Sequence, residues 1–159
     1  MSKVKIDEID IKILEILQEN ARETNAEIAR KVNLVPSATL ERIRRLEKLK
    51  IIKGYHTCID PMVLDYKFLA FVYIKTGHNQ SDTHFFNSFN KYPEIQEIHH
   101  VAGEDCYLLK VRAKDTPSFY QFLRNTILKT DGVTDTRSEI VMHTEKESLS
   151  IPLKNYKNE

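Results

Sequence analysis

The spacing of apolar residues changes character once along this 159-residue chain, near Pro61, and that change divides it into two differently built parts. Before Pro61 the intervals are helical. Ile9, Ile13, Ile16 and Leu17 form one stripe of a helix that Asp7 can cap and that is expected to end near Ala21. Thr24 or Asn25 opens a short second helix in which Glu27 faces water while Ile28, Ala29 and Val32 turn inward. Asn33, tolerant of left-handed backbone, follows it. Pro36 and Ser37 begin a third helix running to Leu49, with Leu40, Ile43, Leu46 and Leu49 spaced by threes along its buried side. Ala29 is small where two helices must cross, and Asn33 lies four residues later at the turn, which is helix-turn-helix spacing.

After Pro61 the rhythm is that of strands. Phe68 to Lys75 is a near-continuous apolar strand, Ser81 to Tyr92 a helix stopped by Pro93, and Ile95 to Val101 a second strand. The third alternates strictly: Tyr107, Leu109, Val111 and Ala113 share one face, Leu108, Lys110 and Arg112 the other. Thr116 is expected to cap the next helix, with Pro117 in its first turn and Phe119, Phe122, Leu123 and Ile127 on its apolar side, before Gly132 breaks it and Val133 to His143 returns as a strand. The fold class is therefore α+β: a winged helix-turn-helix domain over 1–60, a linker over 61–67, a ferredoxin-like βαββαβ domain over 68–143 and a C-terminal tail over 144–159. With both helices on one sheet face, apolar residues opposite them need another cover, and a second copy of the chain is the simplest one.

Net charge is +1, but the excess is local. Arg30, Lys31, Arg42, Arg44, Arg45, Lys48, Lys50 and Lys53 crowd residues 30–53 against only Glu41 and Glu47, which suits a polyanion partner. A helical wheel turns Ser37, Ala38, Glu41, Arg44, Arg45 and Lys48 outward on the third helix, with Arg42 on the flank. Arginine there can fork onto guanine or clamp a phosphate of double-stranded DNA, and the small Ser37 lets the helix end enter a groove. Ile51 to Asp60 reads as two short strands around Lys53 and Gly54. As a wing it places Lys53 and His56 against the DNA backbone, and as a plain hairpin it does not. A two-fold dimer would set two recognition helices one helical turn, or a multiple of it, apart and select near-palindromic sites.

No apolar run approaches a membrane span, and Asp7, Glu8 and Asp10 stand where a signal peptide needs an apolar core, so a cytoplasmic protein is expected. Cys58 and Cys106 lack partners at metal or redox spacing, no metal site is expected, and no paired-carboxylate or nucleophile-base constellation suggests an enzyme.

The segments Asp7 to Leu17 (DEIDIKILEIL), Leu40 to Glu47 (LERIRRLE), Ile51 to Tyr55 (IIKGY), Gly103 to Leu109 (GEDCYLL) and Val133 to Met142 (VTDTRSEIVM) together resemble the Lrp/AsnC transcription regulators over nearly the whole chain, in look closest to the leucine-responsive branch. The resemblance implies a DNA-binding regulator whose C-terminal domain forms dimers, often assembled into tetramers or octamers, and senses an amino acid without any cofactor. In the family a loop opening with the glycine of a GxxD motif lies at the contact between dimers and helps form the effector site. Here it is Gly103, Glu104, Asp105, Cys106 and Tyr107, with Cys106 where the family carries its carboxylate and Asp105 one place earlier. His99, Ile140 and Val141 fall where relatives line this pocket, and a strand-end role for His99 and a core or interface role for the other two stand beside that reading. Val35 replaces a usual serine, leaving Ser37 as the expected cap of the third helix, and Lys50 replaces a usual glycine. Some relatives of this outline resemble decarboxylases acting on tetrapyrroles, for which His99, His100, His143 and Cys106 would be the site. Neighbouring His99 and His100 point to opposite sides of a strand, which opposes a shared metal. A helix-turn-helix turned into a protein-contact module is a third reading, opposed by the exposed Arg44, Arg45 and Lys48.

Overall fold

The computed structural model describes residues 5–77, 87–103, 107–153 and 156. Two compact units result, Met1–Cys58 with Glu147–Glu159 and Ile59–Lys146. Among the described residues no helix is long and apolar enough to cross a membrane.

The first unit is built on α1 (Glu8–Glu19), α2 (Asn25–Val32) and α3 (Pro36–Lys48). Two of them start with reciprocal caps. Asp10 N–H donates to Asp7 Oδ1 at 2.8 Å while Asp7 N–H donates to Asp10 Oδ2 at 3.1 Å, and Thr24 and Glu27 repeat the arrangement on α2. Asn33 ends α2 at φ 57°, the left-handed turn expected of it. On α3 the cap position is Val35, which has no acceptor, and Ser37 lies inside the first turn rather than capping it. The other end is closed by backbone alone: Lys50 at φ 57° donates to Glu47 O, and Ile51 donates to Leu46 O, which satisfies two carbonyls that the helix leaves open.

The buried side of α3 is Thr39, Ile43 and Leu46, shifted from the stripe of threes that the leucines suggest. Leu40 is half-buried and Leu49 exposed. Ile13, Ile28, Val32, Ile43 and Leu46 form the core of this unit. Beyond α3 the chain makes no strand between Ile51 and Asp60, so the wing or hairpin expected there is absent. Ile51 and Ile52 instead pack against the helical core.

The second unit carries β1 (Phe68–Thr76), β2 (Ile95–His100), β3 (Tyr107–Ala113), α4 (Thr116–Phe122) and β4 (Val133–Ile140). The strands form one sheet in the order β2-β3-β1-β4, with β1 antiparallel to β3 and β4, and β2 antiparallel to β3. Half of the helix expected over Ser81 to Tyr92, residues 81–86, lies outside the described residues, and Asn87–Phe89 are helical. Asp115, not Thr116, caps α4 by accepting from Ser118 N at 2.7 Å, and α4 runs on as a π-helical turn, Leu123–Ile127. Phe89, Phe119 and Ile127 pack on Ala70, Val72, Ile74, Tyr107, Leu109 and Val111, the face that the alternation of β3 marks as inward.

The opposite sheet face is partly furnished by polar side chains. Lys110 donates to Glu97 Oε1 at 3.0 Å, Arg112 to Gln96 Oε1 at 3.3 Å, and Arg137 stands 4.1 Å over the Tyr73 ring, among half-buried Phe71 and Leu108.

Replacing Leu109 with alanine is expected to cost about 2–5 kcal/mol in urea unfolding, because the cavity opens under both helix and sheet. Leu128→Ala, at an exposed position, should cost less than about 1 kcal/mol. Similar losses from the two variants would contradict the one-sided core.

Candidate nucleic-acid interface

The shift of the buried stripe on α3 decides which of its cations are available. With Thr39, Ile43 and Leu46 inward, the opposite face is Ser37, Glu41, Arg44 and Lys48, all exposed and spaced by four, three and four residues. Ala38 beside them is half-buried. Among the described residues no ion pair engages Arg44, Lys48, Lys50 or Lys53, so their charges remain available to an outside anion.

Arg42 and Arg45 are placed otherwise. Asp10, on α1, has a side chain with no exposure at all, and both guanidinium groups reach it: Arg42 Nη1 lies 2.9 Å from Oδ1, and Arg45 donates to Oδ2. Arg42 also donates to Asp7 Oδ2 at 2.7 Å. The expectation that both arginines project freely toward a partner is therefore corrected. Although the Arg45 side chain is 45% exposed, its charged end is drawn back to α1, because a fully buried carboxylate must be paired. No sequence period reports this, but a charged residue inside an apolar helix stripe, as Asp10 is between Ile9 and Ile13, is the signal that could have found it.

Electrostatics follow the pairing. Partial burial pushes the Asp7 carboxyl up, but the Asp10 N–H and the Arg42 guanidinium outweigh it and hold it below the usual range. Its contribution is thus present at neutral pH and lost as pH falls through that lowered value. Past the helix, burial and the hydrogen bond to Glu47 Oε1 at 2.9 Å raise the Tyr55 phenol to about 12. Lys53 and His56 are exposed on the strandless segment that follows.

Among the described residues, those singled out for an effector lie on opposite edges of the sheet. His99 lies on the outer face of β2, its Nε2 3.1 Å from Glu97 Oε2. Ile140 and Val141 lie at the end of β4, on the opposite edge of the sheet. Three strand spacings of roughly 4.8 Å each separate the edges, about 14 Å in all, so a pocket using both requires a second chain. Tyr107 has its side chain buried in the core with its ring stacked on His100 at 4.9 Å. Gly103 is exposed at φ 159° with nothing within 4 Å of where a side chain would begin. Glu104, Asp105 and Cys106 lie outside the described residues. Among the described residues no group of three or more His, Cys, Asp or Glu could hold a metal.

Comparison with known proteins finds a match in each part of the chain. Residues 6–47 match the sequence model of the AsnC-type helix-turn-helix domain, and residues 69–151 that of the Lrp/AsnC ligand binding domain. The leucine-responsive regulatory protein of Escherichia coli is 40% identical over 153 residues, covering 94% of this chain and 92% of its own. Among solved structures, a transcriptional regulator of Neisseria meningitidis in complex with L-methionine superposes with a TM-score of 0.87 at 34% identity, covering 94% of this chain and 98% of that one. An AsnC family transcriptional regulator from Agrobacterium tumefaciens gives 0.86 at 29% identity over 93% and 97%.

Removing both guanidinium partners as Arg42→Met with Arg45→Met should destabilise the helical unit by about 3 kcal/mol or more, since the fully buried Asp10 carboxylate loses both of its ion-pair partners. Arg44→Ala should stay within about 0.5 kcal/mol. Chemical denaturation followed by helix content reads both, and a neutral Arg42→Met/Arg45→Met double variant would refute the hub.

Proposed function

Because this chain belongs to the Lrp/AsnC family of helix-turn-helix transcription regulators with a ligand-binding domain, we propose that it reads DNA with one face of α3 and answers to an amino acid through its sheet unit. The observation that carries the first half is the exposed row of Ser37, Glu41, Arg44 and Lys48, whose cations have no ion-pair partner among the described residues. Arg44 is suited to a guanine edge or a phosphate, Glu41 to a cytosine amino group, and Ser37 with Ala38 to close approach at the helix N-terminus. Lys53 and His56 add backbone contacts from the following segment. Arg42 and Arg45 support this face from behind through Asp10. Both matched domains are those of regulators, so the tetrapyrrole-decarboxylase alternative is set aside.

The second half rests on the L-methionine carried by the Neisseria relative and on the exposed Gly103 opening the loop that resembles the family's effector motif. An effector site there would be completed between chains, with His99 from one edge and Ile140 and Val141 from the other edge of a neighbour. A homodimer covering the outer sheet face, with further assembly to tetramers or octamers, provides those neighbours. Partly apolar Phe71, Tyr73 and Leu108 framed by ion pairs suit such a cover.

Two measurements test this. In a salt titration of promoter-fragment retention, Arg44→Ala and Lys48→Ala should each weaken binding and lower the slope of log affinity against log salt by about 1. An unchanged slope in both would overturn the interface. Gly103→Phe should abolish any change in light-scattering mass caused by L-leucine or L-methionine. Because φ 159° disfavours a side chain there, its melting midpoint is taken alongside. A ligand response retained in a folded variant would reject the loop as effector site.

A further inference from the structure

The helical unit contains an apolar groove on which the proposed DNA face of α3 does not draw. Its walls are Leu14 and Leu17 of α1, Ile51 and Ile52 after α3, and Leu149 and Ile151 near the C-terminus, around a volume of about 730 Å³. All six belong to the helical unit. The C-terminal wall is held by α1: Gln18 Nε2 donates to Ile151 O at 3.2 Å, and Ile151 N donates to Gln18 Oε1 at 2.9 Å. A primary amide and a peptide group present matching donors and acceptors, so the two bonds fix this stretch against the helix. Residues 147–153 thus fold with the helical unit, not as the free tail that their lack of periodicity suggests.

The groove is open to water. Leu149 is 84% exposed and Ile151 63%, while Leu14, Leu17, Ile51 and Ile52 are half-buried, so aliphatic surface stays wet unless something lies on it. The same lining carries Lys53 and His56, both exposed, with the His56 ring lying back over Gly54. Neither has an ion-pair partner among the described residues. An apolar trough of this size with a few polar groups at hand is the form of a small-molecule site. Its chemistry selects the ligand: aliphatic walls take an aliphatic body, and Lys53 with His56 take an anionic head. Glu19, on the same lining, repels a head of several charges, such as a run of phosphates, more than a single carboxylate.

We propose that this groove binds a single-chain aliphatic carboxylate of about ten carbons, its tail along Leu14, Leu17, Ile52 and Ile151 and its head at Lys53 and His56. The site lies wholly within the helical unit and is distinct from the amino-acid site read on the sheet unit. Because Lys53 and His56 are also read as DNA-backbone contacts, a bound carboxylate competes there with DNA. That consequence rests on the DNA reading above, and the site itself does not.

The experiment titrates the full-length chain with decanoate, below its micellar range, and follows backbone amides by NMR, with 1-decanol and decyltrimethylammonium as neutral and cationic probes. Saturable shifts are expected at Leu14, Leu17, Ile52 and Ile151, with affinity rising about fourfold for each methylene from hexanoate to decanoate. Decyltrimethylammonium should give none. Lys53→Gln with His56→Gln should weaken decanoate about tenfold and leave 1-decanol unchanged. Ile151→Glu, at an exposed position, should abolish decanoate binding at an unaltered melting midpoint, and if that midpoint falls the Lys53→Gln, His56→Gln pair decides. Decanoate that does not saturate, equal affinity for the cationic probe, or shifts of the same amides on dilution alone, which would mark a second copy as the occupant, each overturns the site. Retention of promoter fragments should fall as decanoate binds. If the Lys53→Gln, His56→Gln pair keeps the unaltered salt slope for DNA, the DNA reading of these two residues fails, while the decanoate titration still decides the groove.

Discussion

A carboxylate with no access to water, flanked by two arginines from another helix, governs the DNA-binding half of this protein. Asp10 belongs to α1, and Arg42 and Arg45 to α3, so the three cannot pair unless the helices cross in one register. Apolar packing among Ile13, Ile28, Ile43 and Leu46 supplies most of the driving force but tolerates small rotations. A buried charge tolerates them much less, because a lost partner leaves an uncompensated ion. The pairing therefore fixes the rotation of α3 about its axis, and with it the identity of the residues that face outward. The proposed DNA face depends on that angle: Arg42 and Arg45 are used internally, while Arg44 and Lys48 are exposed on the opposite side.

The sheet unit solves a different problem. Antiparallel order β2-β3-β1-β4 puts β2 and β4 at the edges, and the helical cover lies on the face of Val72, Leu109 and Val111. The other face is neither fully apolar nor fully solvated. Lys110 with Glu97, and Arg137 with Glu139 and Tyr73, satisfy their charges locally while leaving aromatic and aliphatic surface between them. Such a face tolerates water and suits the second copy proposed to cover it. Among the described residues, the separation of His99 from Ile140 and Val141 onto opposite edges fits the proposed assembly.

Much of this was open to a reader of the sequence. The capping boxes at Asp7 and Thr24, the left-handed Asn33, and the inward set of Tyr107, Leu109, Val111 and Ala113 all depend on neighbours within four residues, or on a period that burial imposes directly. Where the reading failed, a distant partner intervened. Arg45 looks outward on a wheel and is drawn back by a carboxylate 35 positions earlier. Ile51 and Ile52 look like strand residues and are taken by the helical core. Tyr107, placed in a binding motif by resemblance, has the buried side chain that its alternation predicts.

By itself, the order of residues determined the two architectures, the helix-turn-helix, the one-sided sheet and the family, because helical and strand periods are printed along the chain as patterns of burial. Only the tertiary structure decided which arginines remain free, that no wing forms, and that the C-terminal segment returns to α1. Those outcomes depend on pairings between groups far apart in sequence, and a one-dimensional pattern records that a side chain is buried or charged without recording what it meets.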